Sequence, residues 1–98
     1  MKIYCRLITP EYTESTGSEI ITFVTDRLAT VGISHIAFDP FIPYWKQEGC
    51  GELSFQFDAQ ESLEKIQLLF ADTWQSNAAD AKWSNIICPA VSFLWISV

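Results

Sequence analysis

Between Glu52 and Asp58 the chain alternates strictly, with Leu53, Phe55 and Phe57 on one side and Glu52, Ser54, Gln56 and Asp58 on the other. Successive side chains of a strand point to opposite faces, so this order predicts a strand with one buried and one wet face. At Asp58 the period changes. Asp58 and Glu61 have the three-residue spacing of a capping box, and Leu63, Ile66, Phe70 and Trp74, flanked by Leu69, then recur at helical spacing. A strand and an adjoining helix, each with one face to bury, are most economically buried against each other. The Leu53, Phe55 and Phe57 face is therefore expected to pack on the stripe Leu63, Ile66 and Phe70.

The rest of the chain fits around that unit. Lys2 to Ile8 reads as a strand, with Ile3, Cys5 and Leu7 on one face and Tyr4, Arg6 and Ile8 on the other. After a polar turn region, Thr16 and Glu19 repeat the capping-box spacing and open a helix whose stripe is Ile20, Phe23, Val24, Leu28 and Val31. Gly32 stands where such a helix ends, since glycine takes the left-handed conformation without steric cost. Ser34 to Phe38 is a short strand. Pro40 and Pro43 follow, and proline cannot donate to a ladder, so this region is an edge strand, a bulge or a loop. Gln75 to Ala81 reads as a polar connection. The closing stretch, Lys82 to Val98, is apolar on both sides and interrupted only at Pro89. It needs cover on both faces or a partner on one, and Pro89 leaves open whether it is one strand or two. The order strand, helix, strand, strand, helix, strand predicts a single α+β domain over residues 1–98. Its expected form is the ferredoxin-like β-α-β-β-α-β sandwich, an antiparallel sheet with two helices on one face.

Composition narrows the function classes. An apolar fraction of 49% in 98 residues supports a core without disulfide or metal staples. Twelve acidic against six basic residues give a net charge of −6. Such a field repels phosphate backbones, which argues against direct nucleic-acid binding, and it favours encounter with a basic protein. Cys5, Cys50 and Cys88 share no short spacing, and no apolar leader run opens the chain. Three free thiols in a reducing cytoplasm are expected, with Cys5 and Cys88 as small core residues. No segment approaches a membrane span in length.

The chemistry-bearing residues are sparse. His35 is the one histidine, four residues before Asp39, and no nucleophile–base pair or Gly-x-Ser-x-Gly elbow accompanies it. No metal-ligand spacing and no phosphate-binding glycine pattern is present, so no catalytic residue, metal or cofactor is assigned. Glu61 and Glu64 suit the first turn of a helix. The stretch from Asp39 to Glu52 is different: it gathers Phe41, Tyr44 and Trp45 with Asp39, Glu48 and Glu52 in a proline-stiffened connection. Aromatic anchors of low rotamer entropy among polar groups are the make-up of protein-binding hot spots. These six residues are the candidate partner-binding set. The competing use of Phe41 and Trp45 is to cap the end of a small core. A second candidate surface is the wet sheet face carrying Tyr4, Arg6, Ser54 and Gln56, and a third is the acidic helix starts at Glu14, Glu19 and Glu61.

A short, acidic, aromatic-rich α+β chain with reduced cysteines and no catalytic constellation resembles the small immunity proteins of bacterial contact-dependent growth-inhibition toxin systems. The resemblance lies in size, charge and layout over the whole chain and in no diagnostic motif. It implies a cytoplasmic protein that binds a basic toxin domain, often a nuclease, and occludes its active site; separately, a monomer or homodimer is expected. The alternatives are a small dimeric ferredoxin-like enzyme or ligand-binding domain, and an assembly module whose tail adds strands to another chain.

Overall fold

Two alternating strands, β1 (Lys2–Thr9) and β4 (Gly51–Asp58), meet antiparallel with Ile3 opposite Phe57, Cys5 opposite Phe55 and Leu7 opposite Leu53. A slip of one residue would turn one of these apolar sets to the wet face, so burial selects the register. The computed structural model describes residues 1–70, 74–77, 80–86 and 93–97. On the far edge of β4 lie β2 (Ile36–Phe38) and the two-residue β3 (Ile42–Pro43). On the far edge of β1 lies β7 (Phe93–Ser97), followed by β6 (Asp80–Ile86) and β5 (Trp74–Asn77). Among the described residues the sheet order is β2-β4-β1-β7-β6-β5, with β3 paired to β4, and every pair is antiparallel.

The helices are α1 (Glu14–Ala29) and α2 (Leu63–Leu68). Ile20, Val24 and Leu28 of α1 share one buried cluster with Ile3, Cys5, Leu7, Leu53, Phe55, Phe57 and Ile96. Ile66 of α2 and Phe70 just beyond it join the same cluster, and Leu63 packs against it. Both helices therefore cover the same sheet face, and the molecule is an α+β fold built on an antiparallel sheet. The expected packing of the Leu53, Phe55 and Phe57 face on the second helical stripe is present.

Both helix starts differ from the sequence reading. Thr13, not Thr16, caps α1: its side chain accepts from the Thr16 backbone N–H at 3.1 Å, and its hydroxyl lies 2.8 Å from that of Thr16. Ser62, not Asp58, caps α2, accepting from the Lys65 N–H at 3.3 Å. Strand β4 keeps Asp58 because its backbone still pairs with Lys2, and ladder bonds outweigh an optional cap. At the end of α1, Gly32 does adopt a positive φ of 79°. Its N–H reaches the Ala29 carbonyl while Ile33 N–H reaches that of Leu28, satisfying carbonyls the helix leaves unpaired.

The second half of the chain carries a larger correction. Helix α2 stops at Leu68 and Trp74 belongs to a strand, so the helical stripe does not extend to Trp74. The stretch read as a polar connection holds most of β5 and the start of β6, an antiparallel pair with Trp74 opposite Ile86. Of the two alternatives left open for the apolar tail, the structure has two strands, β6 and β7. Pro89, the expected point of division, lies outside the described residues, as does Cys88. Cys5 and Cys50 are both buried free thiols. No helix among the described residues is long and apolar enough to cross a membrane.

Candidate binding face

The alternation that buries Ile3, Cys5, Leu7, Leu53, Phe55 and Phe57 sends Tyr4, Arg6, Glu52, Ser54 and Gln56 to the opposite, open face of the sheet. Arg6 is the centre of that face. Its Nε donates to a Glu52 carboxylate oxygen in an ion pair between neighbouring strands. Its guanidinium also lies 5.6 Å from the centroid of the Tyr44 ring, within cation–π range. Tyr44 is held there by its backbone, whose N–H donates to the Cys50 carbonyl at 2.9 Å. Asp39 follows the end of β2, and its N–H donates to Ser54 O at 2.9 Å. Its side chain is exposed and borders a concavity of about 400 Å³ lined by Tyr4, Arg6, Ala37, Ser54 and Gln56, with parts of Cys5 and Phe55 beneath.

Three of the six candidate residues, Asp39, Tyr44 and Glu52, thus converge around Arg6. Two more, Trp45 and Glu48, lie on the turn that leads back to β4. Trp45 is 76% exposed. Its ring stands 6.3 Å from that of Tyr44, edge to face, and Lys46 Nζ lies 5.1 Å from its centroid. The turn is defined by its backbone: Cys50 N–H returns to Gln47 O at 3.3 Å, and Gly49 supplies the positive φ of 84°. Glu48 is exposed beside them.

Phe41 does not join either group. It is half-buried and packs against the main core. Its ring fills a corner between the first turn of α1 and the start of β4, where glycines stand at positions 17 and 51. A Cβ at Gly17 would meet Phe41 Cδ2 at 2.8 Å, and one at Gly51 would collide with the same ring and with Thr9 Oγ1 at 2.7 Å. Tyr12 closes the corner, with ring centroids 5.0 Å apart and its hydroxyl 3.5 Å from the Phe41 carbonyl. Buried Thr9 ties the strand ends, accepting from Gly51 N–H at 3.2 Å and donating to Glu11 O at 2.6 Å. The capping use weighed for Phe41 is the one it serves. Phe41 is seated by two glycines that flank it in space, which spacing along the chain does not reveal.

The remaining chemistry-bearing side chains do not join this cluster. His35 is exposed, with Nδ1 3.1 Å from Ser34 Oγ. Burial pushes the Cys5 thiol far above its ordinary range, which keeps it neutral and poorly nucleophilic. Cys50 Sγ lies 3.7 Å from Pro10 O as a weak donor. Among the described residues no group of three His, Cys, Asp or Glu side chains could hold a metal ion. Comparison of the chain with protein-family models, curated proteins and solved structures gives no match.

Proposed function

We propose that this chain is a protein-binding inhibitor of a basic partner, and that the partner is a bacterial toxin domain. The observation that carries the reading is Trp45. A solitary exposed apolar residue is ordinary, but this one is an indole on a backbone-bonded turn, beside the Tyr44 ring and within a few residues of exposed Glu48 and Asp39. A tryptophan offers a large apolar contact area for only two side-chain torsions, so much of its burial appears as affinity. The net charge of −6 steers a cationic partner toward it. The resemblance to small acidic immunity proteins supplies the partner class and the cytoplasmic setting. Occlusion of the toxin's active site follows from the same resemblance.

The strand order supports a finer reading of the fold as well. Taken alone, β2-β4-β1-β7 is the order of a ferredoxin-like sandwich, with α1 between the first two strands in sequence and α2 after β4. On this reading β5 and β6 are an extension beyond its last strand.

Co-expression with the products of adjoining open reading frames tests the function. A basic product should be captured and its toxicity suppressed. Glu48→Lys should slow association, an effect that grows at low salt because screening acts over about 8 Å at physiological ionic strength. Trp45→Ala should shorten the lifetime of the complex, since packed contacts form after encounter. Capture with kinetics untouched by both substitutions would remove this turn from the interface.

A further inference from the structure

We infer that the concavity on the open sheet face is a receptor for one cationic side chain, an arginine or lysine, presented by the partner. This rests on the protein-binding reading and names what that partner must carry. Charge is the first argument. The concavity is bordered by one cation, Arg6, and one carboxylate, Asp39. Arg6 is already matched by Glu52, which is 14% exposed, and one face of its guanidinium meets the Tyr44 ring. Asp39 forms no ion pair among the described residues and is exposed, so the local sum of Arg6, Glu52 and Asp39 is negative.

The chemistry of the walls is the second argument. Ser54 and Gln56 bring a hydroxyl and an amide oxygen that can accept from an ammonium or guanidinium. Tyr4, 49% exposed, offers an aromatic face to the same guest. Ala37, the small residue of β2 opposite Gln56, leaves the space open. A hydrophobic or anionic guest would leave Asp39 without a counter-charge of its own, because Arg6 on the same rim is already paired with Glu52. A cation meets acceptors, a ring face and an opposite charge. Arg6 on its rim meets the Tyr44 ring, which stands 6.3 Å from that of Trp45, so one partner segment could cover the turn and place its cation in the concavity.

The test uses the whole isotope-labelled chain and a short blocked peptide, acetyl-Gly-Arg-Gly-amide, with its citrulline counterpart as an uncharged probe of the same shape. Saturable amide shifts at Ala37, Asp39, Ser54 and Gln56 are expected with the arginine peptide. They should weaken about tenfold with citrulline, and about tenfold again in Asp39→Asn, as expected for losing a charged hydrogen bond. Gln56→Lys, which leaves Asp39 in place, should abolish them. Shifts that never saturate and spread over Glu14, Glu19, Glu61 and Glu64 would overturn the site, as would binding indifferent to both substitutions. Trp45→Ala should take up the peptide normally. A null titration therefore removes the concavity and leaves the Trp45 interface standing, whereas partner binding insensitive to Trp45 removes that interface and leaves the concavity.

Discussion

Phe41 and Trp45 stand four residues apart in the same proline-bounded segment, and their surroundings are opposite. Phe41 is wedged between Gly17 and Gly51 under the Tyr12 ring, while Trp45 is 76% exposed on a turn. Both are large aromatics close to a proline, so nothing in their local sequence separates them. The difference lies in what faces them. Two glycines on distant elements leave a ring-sized corner for Phe41, and among the described residues no element covers the outer side of the turn that carries Trp45. Aromatic residues in a connecting segment are thus not a single signal: one was recruited by the core and one stays exposed on the turn.

The largest effect should come from emptying the corner. For comparison, Phe55→Ala, at a buried ring of the main core outside that corner, sets an upper scale of about 3–5 kcal/mol. Phe41→Ala should approach the lower end of that range, about 3 kcal/mol in chemical denaturation, because its ring is only half-buried. A loss well below 1 kcal/mol, the level of an ordinary surface change, would erase the contrast with Trp45.

Next comes Gly51→Ala, whose new methyl meets both Phe41 and Thr9 Oγ1. A cost of about 2 kcal/mol is expected from overpacking. Adding Phe41→Leu should recover part of that cost, which a double-mutant cycle would measure as a coupling between the two sites. Additivity of the two changes would show that the ring does not fill this space.

Gly17→Ala sharpens the contrast by a change of sign. In the native background the clash with Phe41 should make it destabilising. Once Phe41→Ala has removed the ring, the same substitution should stabilise by about 1 kcal/mol, the ordinary gain of alanine over glycine within a helix. Thermal unfolding of the four proteins decides it.

Glu52→Gln should cost about 1 kcal/mol or less, since Arg6 is 39% exposed and water screens the pair. The cost should shrink in high salt. The smallest effect belongs to Trp45→Ala, which should leave stability within about 0.5 kcal/mol, as for exposed positions without special contacts. A larger loss would make Trp45 a second core cap and withdraw it from the proposed interface.

Much of this architecture is legible from periodicity. The strict alternation in β1 and β4 determines which face each side chain takes, because a strand has a period of two and water rejects apolar rows. Hence the core set Ile3, Cys5, Leu7, Leu53, Phe55 and Phe57, and the wet row Tyr4, Arg6, Ser54 and Gln56, follow from the amino-acid order alone. The stripe of α1 and the stop at Gly32 follow for the same kind of reason. Tertiary structure decided the rest. Helix α2 stops at Leu68 and Trp74 opens strand β5, since a short apolar run suits either element and the ladder of β5 with β6 takes Trp74. The caps moved to Thr13 and Ser62 because several nearby hydroxyls and carboxylates could serve, and the backbone path selects among them. Tyr44, Glu52 and Asp39 came together only because β1 placed Arg6 among them. Phe41 and Trp45 parted because burial depends on what the fold places opposite a ring, and that information lies in other elements of the chain.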